Sequence, residues 1–234
     1  MRIIYLNTWY GQIKRDFFSF LKDNVGADVF CFQEVSPQLF NELENILSNH
    51  GGIYATENKA ELMGFVYGQA IFIRKNFKIL SSGKVDLYRQ VINDVGYLQF
   101  VQVKIGQKEV CLGNIHGKAR PGYKLDTPAR IRQSRIIIDY FKNKKGAKII
   151  GGDFNLLPQT KSIKMFEKAG YRNLIDEYKI KITRNRLAWE QFPNEEKQYF
   201  ADYVFTSSDI KVKNFVVPNI EISDHLPLIL DFEI

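Results

Sequence analysis

Histidine and cysteine are scarce in this chain of 234 residues, which has three of the first and two of the second. Two thiols cannot build the disulfide framework of a small secreted fold. Cys31 and Cys111 each sit inside an apolar, strand-like run, Val29-Phe30-Cys31-Phe32 and Val110-Cys111-Leu112. They read as buried thiols acting as small hydrophobes, which suits a reducing, cytoplasmic compartment. No apolar stretch approaches the ~20 residues that a transmembrane segment needs. The apolar core of a signal peptide is missing, since Asn7 and Trp9 interrupt the first run, although a leader removed earlier is compatible with this start. Dense blocks of Lys and Arg are also absent; the nearest, Lys142 to Lys148, reads as a solvated helix end. Neither a Pro-, Gly- or Ser-rich linker nor an internal repeat divides the chain, so one domain spanning residues 1–234 is expected.

What is present is enough for a large core: 45% hydrophobic and 14% aromatic residues. The net charge of +7 and pI near 9.2 favour polyanionic partners, nucleic acid or anionic headgroups, but say nothing about fold.

Hydrophobic periodicity places the elements. Arg2 to Leu6 reads as a buried strand. Ile13, Phe17, Phe20 and Leu21 recur at helical spacing, and Asp28 to Phe32 forms the next strand, ending at Gln33-Glu34. Ser36-Pro37 caps a second helix with Phe40, Leu43 and Leu47 on one face, and Gly51-Gly52 closes that unit. Ala70 to Arg74, Tyr97 to Ile105 and Lys108 to Leu112 read as strands, the last two joined by a Gly106-Gln107 turn. Thr127-Pro128 opens a third helix with Ile131, Ile138 and Phe141 along one face. Ala147 to Ile150 leads as a strand into Gly151-Gly152-Asp153, and a helix around Ser162 to Ala169 follows. Phe200 to Thr206, Lys211 to Val217 and Leu228 to Phe232 complete a strand-rich end. This alternation predicts an α/β (α+β) fold, two mixed β-sheets packed face to face with helices on the outer faces.

Chemistry-bearing residues gather where these strands end. Glu34 is a carboxylate at the end of an apolar strand, costly to bury without a cation; taken alone it is equally an acid at a helix N-terminus. Asp153 and Asn155 follow two glycines that let backbone approach a ligand, and on their own they are equally a turn. Asp224-His225 sits between Ser223 and Leu226-Pro227, where the proline holds the chain extended. Asp202 is placed to orient His225 and favour its imidazolium form. His116 ends a strand beside Gly117. His50, in Asn49-His50-Gly51-Gly52, reads as a surface turn residue without a role. Each signal is modest alone. Together they supply the groups needed to hold a hard divalent cation, which takes few carboxylates, and to cleave a phosphate ester.

The ordered set Asn7, Gln33-Glu34, His116, Gly152-Asp153-Phe154-Asn155, Asp202-Tyr203 and Ser223-Asp224-His225-Leu226-Pro227 resembles the endonuclease/exonuclease/phosphatase superfamily. The resemblance implies a four-layer sandwich with its site at the edge of two sheets. It implies that Glu34 binds the metal, with Asn7 and Asp224 nearby, the ion being Mg²⁺ or Mn²⁺. His116, Asp153, Asn155, Asp202 and His225 would then be catalytic. Asp153 would position or deprotonate the attacking water, Asn155 would hold the phosphate, and His225, paired to Asp202, would stabilise phosphoryl charge or act as the base. His116 would serve the leaving oxygen. One departure matters: apurinic endonucleases carry an acidic residue where Trp9 stands, and Asn7-Thr8-Trp9 looks more like sphingomyelinase-type members. Apurinic-site repair is demoted accordingly.

Substrate contacts are expected from the loop after His116, namely Lys118, Arg120, Tyr123 and Lys124, and from Arg184, with Tyr123 or Trp189 stacking on a base. A solvated loop explains the same residues. Arg130 and Gln133 are expected to brace that loop. Three readings stand: a nuclease, a phosphatase or phosphodiesterase for lipid or inositol-phosphate headgroups, and a non-catalytic binding module. The second drew attention to Leu62-Met63-Gly64-Phe65-Val66-Tyr67 as an apolar segment for a membrane surface.

Overall fold

The computed structural model describes residues 1–62, 65–87, 96–190 and 196–234, the side chains of 57–62 and 65 excepted. Of the segment Leu62 to Tyr67 singled out above, Met63 and Gly64 and the side chains of Leu62 and Phe65 lie outside them.

Two six-stranded mixed sheets carry the fold. In the first, β1 (Arg2–Asn7) lies between β2 (Val29–Val35), parallel to it, and β12 (Leu228–Glu233), antiparallel to it. Beyond β2 come β4 (Phe65–Arg74) and β3 (His50–Leu62); beyond β12 comes β11 (Lys211–Val216). The second sheet runs β5 (Lys78–Asp86), β6 (Tyr97–Ile105), β7 (Lys108–His116), β8 (Ala147–Asp153), β10 (Asp202–Thr206) and β9 (Arg172–Asn173). Only β7 and β8 are parallel in it. The helices are α1 (Lys14–Asp23), α2 (Pro37–Ile46), α3 (Pro128–Lys142), α4 (Lys161–Lys168) and two short turns, α5 (Leu174–Glu177) and α6 (Arg186–Glu190).

The central strands read as continuous apolar runs because both their faces are covered. Ile3, Tyr5, Val29 and Cys31 join the large inter-sheet core, while their alternate neighbours Ile4, Leu6, Phe30 and Phe32 pack with Phe17 and Leu21 of α1 and Leu39 and Leu43 of α2. On the other sheet, Ile137 and Phe141 of α3 and Ile163 and Phe166 of α4 close the core. Both cysteines are free thiols within it. The expected cap-and-proline starts hold: Ser36 accepts from Leu39 N at 3.1 Å and Thr127 from Arg130 N at 3.1 Å.

Several expectations need correction. Gly51-Gly52 does not close a unit but runs on as strand β3, which along with β5 was not foreseen; with most of its described residues exposed, β5 lacks the apolar run that marks a core strand. The buried face of α3 is Arg130, Gln133, Ser134, Ile137 and Phe141, with Ile131 and Ile138 only half-buried, because polar side chains on that face bond the loops beneath it. His50 is no surface residue: it is 5% exposed, its Nε2 lies 2.9 Å from Ala27 O, and burial lowers its pKa.

Close approach makes two adjacent glycines structural. A Cβ on Gly151 would lie 2.7 Å from the Tyr5 ring, and one on Gly152 would lie 2.3 Å from Ile115 O at a φ of +123°. Gly152→Ala is expected to destabilise the fold by about 2 kcal/mol or more. Gly122→Ala, with nothing within 4 Å of its Cβ, should stay within about 0.5 kcal/mol of the parent. Chemical denaturation of both variants tests this; equal stabilities would contradict it.

Candidate active site

Strand register brings the candidates together. Asn7 pairs with Gln33 across β1–β2, His116 with Asp153 across β7–β8, and Asp202 with Asp153 across β8–β10. Each sheet therefore ends in a row of polar residues, and the sheets face one another. The segment Ser223 to His225 closes the group, its Ser223 hydroxyl donating to Asn7 O at 2.7 Å. The stretch around Arg184 pairs with His225 as an isolated bridge.

Glu34 occupies an irregular point. Phe32 pairs with Ala70 and the next pair is Val35 with Gly68, so β2 holds one extra residue, a bulge. Glu34 takes a φ of +55° there, an unfavourable conformation for a side chain that requires support from its surroundings. Part of that support is Thr8, whose hydroxyl lies 3.0 Å from Gln33 O and 2.9 Å from Glu34 O. The Glu34 side chain remains 18% exposed, so an ion can reach it. Burial, followed by the negative charges of Asp224 and Asp153, pushes its pKa up to about 7 against the help of His225 and Asn7.

Asp153 accepts three hydrogen bonds. Asn155 donates its backbone N–H at 2.8 Å and its side-chain amide at 3.1 Å, and Asn7 donates at 3.1 Å. Asn155 reaches this position through a φ of +54°. Burial alone would raise the Asp153 pKa, but His225, Lys124 and His116 with these donors hold it below the usual carboxylate range. His225 Nδ1 faces both oxygens of Asp202, at 3.0 and 2.9 Å, and its Nε2 lies 3.8 Å from Asp153 and 4.0 Å from Asp224. Burial opposes its charge, but Asp202, Asp224 and Asp153 outweigh it and raise the imidazole to about 9. His116, 3.6 Å from Glu34 and 4.0 Å from Asp153, goes the other way: burial lowers its pKa despite Asp153. One histidine is thus held charged and the other neutral.

Among the described residues, Asp153, Asp202 and His225 bring donor atoms within 4.8 Å of one another, a spacing that a metal can use. Both Asp202 oxygens face His225 Nδ1, however, so Asp202 and His225 form a hydrogen-bonded pair, with Asp153 3.8 Å from the other ring nitrogen. Glu34 and Asp224 are carboxylates that repel one another, the kind of oxygen donor a hard cation takes, and the Glu34 side chain is reachable from solvent.

Substrate-loop residues separate. Arg120 is exposed and Tyr123 is 50% exposed, at the rim as expected, and Lys118 is half-buried. Lys124 is not at the rim. It is 6% exposed, its ammonium donates to Asn155 Oδ1, and burial lowers its pKa to about 8. Arg184 pairs with Asp224 at 3.4 Å. Buried Arg130 donates to the carbonyls of Lys118, Ala119, Pro121 and Leu125, and Gln133 Oε1 accepts from Lys118 N, so both brace the loop. Beside the catalytic cluster lies a pocket of about 400 Å³, lined by Arg120, Lys124, Arg184 and Trp189 among others. The sequence reading missed an aromatic wall next to Glu34, where Tyr10 and Tyr67 meet edge to face at 5.2 Å and Tyr67 lies 6.4 Å from the His116 ring. Thr183, beside Arg184, is wholly buried, and its hydroxyl accepts from Ala201 N and Asp202 N.

Residues 5–225 match the endonuclease/exonuclease/phosphatase family, and the chain belongs to it; it is a phosphoesterase by fold and family. Among solved structures it is similar to the mannosyl-6-phosphatase Bt3783 of Bacteroides thetaiotaomicron VPI-5482, at 17% identity and a TM-score of 0.76, covering 100% of both chains. A humanised TDP2 from D. rerio is 18% identical with a TM-score of 0.79, covering 100% of this chain and 99% of the other. The catalytic domain of human Nocturnin is 20% identical with a TM-score of 0.75, covering 100% and 93%. At these identities the likeness speaks for the fold. Compared with curated proteins, the sequence finds no match. Among the described residues, no helix is long and apolar enough to cross a membrane.

Proposed function

We propose that residues 1–234 form one catalytic domain, a divalent-metal-dependent phosphodiesterase acting on nucleic acid, with Mg²⁺ or Mn²⁺ held by Glu34, Asn7 and Asp224. The observation that carries the reaction is the convergence of Glu34, His116, Asp153 and His225, with 3.6 to 4.0 Å separating each histidine from its carboxylate neighbours here. When bound, the ion supplies positive charge to phosphate oxygens. The chain's own residues do the rest. Asp153, anionic and held by Asn7 and Asn155, orients the attacking water and takes its proton. His225, its Nδ1 held by Asp202, is a donor to the charge that develops on the phosphoryl group. Neutral His116 donates a hydrogen bond to the leaving oxygen. Asn155 and Lys124 face a non-bridging oxygen.

The nucleic-acid reading is supported by the basic pocket beside the cluster, where Arg120 and Arg184 suit a phosphate and Trp189 suits a base, and by the net charge of +7. A second reading, a phosphorylated small molecule or a lipid or inositol-phosphate headgroup, is favoured by the pocket's size, which suits one such group, and by the structural likeness to a protein named as a mannosyl-6-phosphatase. Plasmid DNA, single-stranded DNA, RNA, sphingomyelin, an inositol polyphosphate and a sugar phosphate, each with Mg²⁺ or a chelator, separate them. Cleavage of nucleic acid alone is expected, and chelation should abolish it. Release of phosphate or headgroup alone would favour the second reading. Binding of nucleic acid without any hydrolysis would leave a non-catalytic module.

A further inference from the structure

A layer of buried amides between the sheets has no part in the chemistry above, and Asn114 is its hub. Asn114 is wholly buried on β7, two residues before His116. Its Nδ2 donates towards Phe32 O at 3.0 Å, Gln99 Oε1 at 3.1 Å and Ala70 O at 3.3 Å. Its Oδ1 accepts from Gln33 Nε2 at 2.5 Å, and its backbone carbonyl accepts from Gln69 Nε2 at 2.7 Å. Such a group destabilises an apolar layer unless its partners are supplied, and its partners indicate its role.

Phe32 and Ala70 are the last regular pair before the β2 bulge, and Gln33 and Glu34 are the residues that the bulge displaces. One side chain from the second sheet therefore bonds both carbonyls at the break in the first. It also bonds the side chain next to Glu34, while its own strand continues directly to His116. Thr8 holds the Glu34 backbone through other atoms, the carbonyls of Gln33 and Glu34. With Glu34 at a φ of +55°, the bulge persists only where such contacts over-determine it.

We propose that Asn114 is a positioning residue for the cation site: it fixes the bulge that presents the Glu34 carboxylate and ties it to the strand that delivers His116. The proposal rests on the reading of Glu34 as a metal ligand. Calorimetric titration with Mn²⁺ alone, without substrate, tests both. Glu34→Ala should abolish binding. Asn114→Leu, which keeps the number and branching of the side-chain heavy atoms and removes the amide, should weaken it about tenfold or more. Val103→Ala is the control; this buried core position pairs with Val110, at the end of the sheet remote from His116, and its loss should lower stability without changing affinity. Should Asn114→Leu fail to fold, Gln33→Met removes the donor to Asn114 Oδ1 and should show a smaller loss in the same direction. Affinity in a folded Asn114→Leu or Gln33→Met equal to the parent overturns the proposal, as does an equal loss in Val103→Ala. Unchanged binding by Glu34→Ala overturns the ligand assignment beneath it.

Discussion

Glu34→Ala and His225→Ala are each expected to lose at least ~100- to 1,000-fold in turnover while remaining folded. The losses should differ in kind. On the proposed assignment Glu34 is the ligand that a substrate-independent metal titration reports, so its variant should fail to bind the ion. His225 in that assignment supplies a positive charge, so its variant should keep the ion and lose kcat. Asp202→Asn separates charge from shape: both Asp202 oxygens lie against His225 Nδ1, and an amide keeps a contact there but withdraws the first of the three carboxylates that lift the imidazole to about 9. The alkaline limb of its pH–rate profile should therefore move towards neutrality. Near-parental turnover by purified His225→Ala and Glu34→Ala would end the assignment. An unmoved alkaline limb in Asp202→Asn would refute only the imidazolium role.

The meeting of these residues was legible in the sequence because they are short polar groups at the ends of apolar runs. A strand that ends in Gly151-Gly152-Asp153 or Gln33-Glu34 delivers its last residues to a sheet edge, and residues separated by 146 positions, Asn7 and Asp153, then meet at 3.1 Å. The strands buried on both faces were equally plain. What was hidden depends on the partner and not on the segment. Lys124 sits in a loop of Lys, Arg and Gly that reads as solvated, yet its ammonium is drawn inward to Asn155 in the field of Asp153 and Asp202. His50 looks like a turn residue beside two glycines, but strand β3 begins there and Ala27 provides its carbonyl. Arg130 and Gln133 interrupt the apolar face of α3, so the periodicity pointed to Ile131 and Ile138, while the fold buries the polar pair against loop carbonyls. Asn114 lies within an apolar strand, where its type signals nothing until the opposite sheet is in place.

The stability of the metal-free protein is expected to fall as pH rises from 6.5 to 8, and divalent cation should reverse the fall. The sign follows from the folded-state pKa values. His225 is raised from 6.5 to about 9, so the folded protein holds a proton that the unfolded chain gives up; its contribution is complete below 6.5 and is lost as pH climbs towards 9. Glu34, raised from 4.5 to about 7, loses its contribution in the same direction and has finished doing so near neutrality. Three groups oppose this outside the window. His116 and His50, both lowered from 6.5, add stability as pH rises towards that value. Lys124, lowered from 10.5 to about 8, adds stability only above its folded value. Between 6.5 and 8 the His225 term is therefore the main one, and at 1.36 kcal/mol per pH unit for one proton it amounts to about 2 kcal/mol. His225→Ala should flatten the slope. Mg²⁺ should raise the melting temperature more at pH 8 than at pH 6, because Glu34 must be ionised to hold it. A chelated parent protein whose melting temperature is level across this range, with or without His225, would show that the buried imidazolium is not a feature of the folded state.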